Sequence, residues 1–166
     1  MHEVVDKIRT YFDMDIQATR FNWYRDSSDW KPYHHDAAAM KAHMATKQNI
    51  TVAASFGAER DVSFMVSLAL LIFVCPAPAI RQPLPHDTHC YATVSQHAKT
   101  KVTTDMPQPN GCAYAFGRDL NLDWQHGILQ LPPEKQTKDG ARISIIAWGW
   151  VDQMNDDGVL LKKGMY

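Results

Sequence analysis

The sequence predicts a mainly β protein of one domain, opened by a short helix. Three observations carry that reading. Runs of β-branched and aromatic residues alternate with polar ones, most clearly in Arg142-Ile143-Ser144-Ile145-Ile146-Ala147-Trp148. Such runs are broken by turn chemistry, as in Pro107-Gln108-Pro109-Asn110-Gly111. A chain of 166 residues that is 45% hydrophobic is one globular domain, large enough for a single β-core.

Taken in order, Val4, Val5, Ile8 and Phe12 share one face of an amphipathic helix expected over residues 4–12. A strand follows over 17–24, and Ser27, Ser28 and Asp29 form a loop. The next extended segment centres on Tyr33, with a helical turn over 37–45. Strands are expected over 50–56, 62–65, 101–104, 111–116, 126–130 and 142–150. Residues 132–140, opened by two prolines, form a loop, and the tail after Asp152 reads as exposed or frayed.

The chemistry concentrates in three places. If residues 32–37 are extended, His34 and Asp36 leave the same face and reach one metal ion together, while His35 points away. His126, in Trp124-Gln125-His126-Gly127, is the third candidate ligand, delivered from a distant strand. Two imidazoles and one carboxylate suit Fe(II) with open positions better than structural zinc, which favours thiolates and closed tetrahedra. The plainer alternatives are that His34 caps a turn and that His126 is a satisfied, half-buried histidine. Arg142 and Ser144 share a strand face, where a guanidinium can clamp a carboxylate bidentately.

Three segments extend the pattern. Asn22-Trp23-Tyr24-Arg25-Asp26 is similar to an Asn-x-Tyr-x-Asp segment, and Ala54-Ser55-Phe56-Gly57-Ala58-Glu59-Arg60 to a Ser-Leu/Phe-Gly-x-x-Arg strand. Trp124-Gln125-His126-Gly127 is similar to a distal Trp-x-His-x strand. In this order the residues resemble the AlkB-like branch of the Fe(II)/2-oxoglutarate-dependent dioxygenases, over a core of about residues 16–152. The resemblance implies a double-stranded β-helix of the jelly-roll or cupin-like kind. It implies iron held by His34, Asp36 and His126, and 2-oxoglutarate held by Asn22, Tyr24 and Arg142. The reaction implied uses O2 and 2-oxoglutarate to hydroxylate or oxidatively demethylate a substrate such as an N-alkylated nucleobase in DNA or RNA.

Two departures stand out. The carboxylate ligand is usually followed by acidic residues, whereas Asp36 precedes Ala37, Ala38 and Ala39. The last strand commonly reads Arg-x-Asn-x-Thr-x-Arg, and here Trp148 stands where the second arginine is expected. A second carboxylate donor is therefore sought in Asn22, the iron itself or Arg25. Trp23, Trp30, Trp124 and Trp148 are candidates to line the pocket, although aromatic residues are more often core. A dioxygenase acting on a protein or small molecule, and a non-catalytic β-scaffold, remain as alternatives.

Residues 66–96 do not match their flanks. Only Arg81 and Asp87 are charged, and the segment holds Pro76, Pro78, Pro83, Pro85, Cys75 and Cys90. Joining Met65 to His97 restores an alternating strand entering a charged turn. Valine codons begin with a donor GT and Gln96 can be read from an acceptor CAG, so the segment reads as an atypical insertion for which a retained intron is one origin and a genuine surface insertion, which loops tolerate, is the other. Its apolar run of about ten residues is shorter than the ~20 needed to span a bilayer.

Net charge is −1 and the isoelectric point about 6.7, which gives no global attraction to nucleic acid. Cys112 alone lies outside the insertion, so no disulfide framework is expected and a reducing cytoplasm or nucleus suits the chain. The charged start, Met1-His2-Glu3, is not a signal-peptide core. A monomer without membrane contact is expected. With about twenty residues before Asn22 and no lid for a flipped base, the chain is expected to be truncated at its N-terminus.

Overall fold

The computed structural model describes residues 1–66, 93–97, 101–154 and 158–163, with 93–97 and 101 through their backbone alone. The atypical insertion therefore falls mostly outside the described residues.

Helix α1 (His2–Phe12) realises the expected amphipathic pattern and stops at Asp13, which takes the left-handed conformation at φ 47°. A short polar side chain tolerates that region better than most. The strands are β1 (Asp15–Tyr24), β2 (Lys31–His34), β3 (Ile50–Gly57), β4 (Arg60–Val66), β5 (Thr93–His97), β6 (Lys101–Gln108), β7 (Ala113–Gly117), β8 (Trp124–Ile128) and β9 (Arg142–Trp150). A short hairpin, β10 (Gln153–Met154) with β11 (Leu160–Leu161), closes the order. Helices α2 (Ala37–Met40) and α3 (Ala42–Ala45) fill the turn after β2, and α4 (Arg118–Asp123) leads into β8. No helix among the described residues is long and apolar enough to cross a membrane.

The chain is mainly β, as expected. A four-stranded antiparallel sheet runs in the order β1-β9-β3-β7, and a five-stranded one in the order β2-β8-β4-β6-β5. The sheets meet through Tyr24 and Phe116 of the first and Val62, Phe64 and Ile128 of the second, all buried. Phe64 and Phe116 lie edge to face at 5.6 Å between centroids. On the far side of the first sheet, α1 sets Ile8 against Val52 and Ala147.

Register places the polar residues. Reading across β1, β9 and β3, the face toward the second sheet presents Tyr24, Arg142 and Gly57, then Asn22, Ser144 and Ser55, then Trp148 opposite Thr51. Because side chains alternate, one register therefore brings three segments distant in sequence to one wall. The β3–β4 turn needs Gly57: its φ is +92°, and a Cβ would lie 2.4 Å from the Ala141 carbonyl.

Two expectations are corrected. The turn placed at Pro107 starts later, because β6 continues to Gln108 with Pro107 opposite Asp61. Proline is tolerated there since β5 pairs β6 only as far as Asp105, leaving the missing N–H on an unpaired edge. The tail is exposed, as expected, but is not frayed where it is described: it forms the β10–β11 hairpin, and Lys163 reaches Asp15 at 2.5 Å.

Buried Arg60 fixes the loop after β1. Its guanidinium donates to the carbonyls of Ser27 and Asp29, each at 3.2 Å, and of Leu129 at 2.7 Å. Arg60→Met strands these acceptors and is expected to cost about 3 kcal/mol by chemical denaturation. The β4–β6 ladder, which pairs Met65 with Thr103, yields a second expectation. With residues 66–96 deleted, His97 follows Met65 and falls opposite Val102, leaving a hairpin turn over 98–101. The deleted form is expected to melt cooperatively at or above the full chain's Tm, measured by circular dichroism. A molten product would show the segment to be integral.

Candidate metal centre and anion cleft

His34 and His126 are cross-strand partners on β2 and β8, so a single register brings both imidazoles together, ring centroids 4.4 Å apart. β2 is kept close to β8 by Gly127, where a Cβ would meet the Lys31 carbonyl at 2.7 Å. Asp36 follows the strand in extended conformation at the start of α2, which turns its carboxylate inward. That backbone is held by α4: Asn121 accepts from the Asp36 N–H through its side chain at 2.9 Å, and its carbonyl meets His35 Nδ1 at 2.6 Å.

The Asp36 carboxylate is 6% exposed. Its Oδ1 lies 4.0 Å from His34 Nε2 and 3.8 Å from His126 Nε2. Its Oδ2 accepts from Thr51 Oγ1 and Trp148 Nε1, each at 2.9 Å. The three ligand atoms lie within 4.8 Å of one another. Ligands on one ion at about 2.1 Å stand about 3.0 Å apart at right angles and about 3.4 Å apart in a tetrahedron, so side-chain movements of about an ångström complete the site.

The electrostatics suit a cation. Burial lowers the pKa of His126 to about 4, against the pull of Asp36, and lowers that of His34, which Lys31 reinforces. Both rings are then neutral at neutral pH, the form that ligates metals. His34 Nδ1 meets the Pro32 carbonyl at 3.0 Å, which fixes the tautomer and presents Nε2 as the ligand atom. Among the described residues Asp36 has no lysine or arginine partner, so its buried charge is matched only by neutral donors. A buried carboxylate in that state favours a bound cation.

Beside this cluster lies a narrow cleft lined by Asn22, Tyr24, Lys31, Tyr114, Arg142 and Ser144 together with His34 and His126. Arg142 is 1% exposed; its Nη2 donates to Ser55 Oγ at 2.6 Å, and the Tyr24 hydroxyl is a further polar partner of the guanidinium. Nε and Nη1 are buried without a hydrogen-bond partner. The guanidinium lies over the Tyr24 ring, 5.2 Å from its centroid. Asn22 Nδ2 donates to Ser144 Oγ at 3.3 Å. Burial raises the pKa of both Tyr24 and Tyr114, so their hydroxyls stay protonated donors. The cleft therefore offers cationic and neutral donors to an anion.

All six site residues expected from the sequence converge here: His34, Asp36 and His126 in the cluster, Asn22, Tyr24 and Arg142 in the cleft. Arg25 does not. It is exposed and forms a fork with Asp29, Nε to Oδ2 at 3.0 Å and Nη2 to Oδ1 at 2.9 Å. The second cation of the cleft is instead Lys31, whose pKa is lowered by burial. Trp23 and Trp30 are 66% and 48% exposed, and Trp124 packs against the core. Only Trp148 reaches the centre. Sequence reasoning missed Thr51, Lys31 and Asn121. Thr51 and Ser55 had a usable signal, since both fall on the polar alternate of an otherwise apolar strand, whereas Asn121 between two leucines had none.

The depressed His126 pKa sets a pH dependence for the metal-free protein. Between about 6.5, the unperturbed value, and about 4, the unfolded chain binds a proton that the folded one excludes, so stability falls as pH drops through this window. Thermal melts in chelator are expected to show Tm falling from pH 6.5 to 4, with a shallower fall for His126→Asn. No protein-family model matches the chain, and no curated protein matches its sequence.

Proposed function

We propose that the chain is an Fe(II)- and 2-oxoglutarate-dependent dioxygenase on a double-stranded β-helix, hydroxylating or oxidatively demethylating its substrate. The observation that carries this reading is the adjacency of the His34–Asp36–His126 group to a buried arginine with two unused guanidinium nitrogens. Two neutral imidazoles and one carboxylate hold iron with positions to spare. Iron so bound supplies, with O2 and 2-oxoglutarate, the oxidising power for C–H hydroxylation, which at an N-methyl group releases formaldehyde. The chain's own residues bind and orient. Arg142 pairs with the distal carboxylate of 2-oxoglutarate while Tyr24 and Asn22 donate beside it, and the apolar wall of Val62, Ile128 and Ile146 excludes water. Lys31, at the same cleft, takes the place of the missing second arginine as a cation for the keto-acid end.

An N-alkylated nucleobase is the leading substrate on the resemblance. A protein side chain or small molecule is the second reading, favoured by one observation: Asp36 is followed by the apolar turn Ala37–Met40 in place of acidic residues.

The test is succinate formation from 2-oxoglutarate with Fe(II) and ascorbate, with and without methylated oligonucleotide. Turnover is expected in the wild-type chain or its 66–96 deletion and is abolished by His34→Ala or His126→Ala. Arg142→Gln is expected to weaken 2-oxoglutarate binding about 10- to 100-fold, the worth of a charged hydrogen-bonded pair. Unchanged activity in the histidine variants would refute the assignment.

A further inference from the structure

Both donors to Asp36 land on one oxygen. Thr51 Oγ1 and Trp148 Nε1 each reach Oδ2 at 2.9 Å, whereas both histidine Nε2 atoms face Oδ1. The convergence is built into the sheet, for Thr51 and Trp148 are direct cross-strand partners on β3 and β9. Arg20 lies over the Trp148 ring at 5.8 Å, and Phe116, opposite Thr51 on β7, packs against His126 at 4.9 Å. The indole is thus backed by Arg20, and neither it nor the hydroxyl belongs to the three-residue ligand group.

We propose that Thr51 and Trp148 are positioning residues that occupy Asp36 Oδ2 and so restrict this carboxylate to one metal-binding oxygen, Oδ1. The inference rests on the proposed metal centre and concerns how that centre is tuned. A carboxylate freed of these donors can rotate and offer both oxygens, which takes up a position that a chelating co-substrate needs. Neutral donors also leave the full negative charge on Asp36 for the ion, whereas a cation in place of Trp148 would offset part of it.

Co(II) binding tests this without turnover, since its visible ligand-field spectrum reports coordination. Thr51→Val is isosteric and removes only the hydroxyl, and Trp148→Phe keeps an aromatic ring and removes the N–H. Each is expected to weaken Co(II) binding about tenfold, the lower end for loss of an outer-shell partner, and to change the spectrum. Thr51→Ser, which keeps the donor, is expected to stay within threefold of wild type. Co(II) binding that His34→Ala abolishes, but that Thr51→Val and Trp148→Phe leave within twofold and spectrally unchanged, would overturn this inference while sparing the metal centre. A lowered Tm without change in affinity or spectrum would likewise assign the pair a purely structural role. A wild-type chain that binds no Co(II) would overturn both readings.

Discussion

One carboxylate, Asp36, lies buried between two β-sheets, and the arrangement of the site follows from that burial. An ionised group removed from water and left unmatched is expensive, so the surrounding chain must supply donors. Two come from the first sheet, Thr51 Oγ1 and Trp148 Nε1, while the Asn121 side chain accepts from the Asp36 backbone N–H and the two imidazoles of the second sheet stand 3.8 and 4.0 Å from the carboxylate. None of these carries a fixed positive charge. The negative charge is thereby solvated by dipoles without being cancelled, which is the state in which a divalent cation gains most from binding.

Arg142 is the mirror image of that arrangement. It is a buried cation whose partners, Ser55 and the Tyr24 ring, leave two donor nitrogens unused. Stability alone gives no reason to bury a guanidinium this way, since leaving its donors unmet costs free energy that an apolar residue would avoid. Under the proposed function, the arginine at one place and the carboxylate cluster at another receive a ligand that is both a carboxylate and a chelator. Lys31 at the same cleft adds a second positive group without adding a competing partner for Asp36 within ion-pair distance.

The supporting shell shows how the fold gives precision to the centre. His34 and His126 are opposed across one ladder, and Thr51 and Trp148 across another. Each pair is fixed by backbone hydrogen bonding instead of by loop packing, so the four side chains are positioned by two rigid surfaces that meet through Phe64 and Phe116. The loops contribute less to aim and more to closure. Arg60, reaching three carbonyls, fastens the segment after β1 onto the start of the chain leaving β8.

The class of the fold, the N-terminal helix and most strands were legible along the chain, because alternation and turn chemistry are local signals that survive without neighbours. The sequence also pointed to the donor set, since extended backbone puts His34 and Asp36 on one face and Arg142 and Ser144 on another, although β2 ends at His34 and Asp36 is held at the start of α2. What meets what came from the pairing of strands and the packing of the two sheets. Strand register is a property of pairs, so no local reading could show that Thr51 faces Trp148 or that His126 faces His34. Arg25 was a reasonable donor in sequence and was removed by Asp29, four residues on, which captures it at the surface. Lys31 was unremarkable in sequence and became part of the cleft because β2 pairs with β8. Trp148 read as a loss, the absence of an expected arginine, until the fold placed its indole N–H on Asp36. Periodicity assigns each side chain a face, but only the packing of two sheets assigns it a partner.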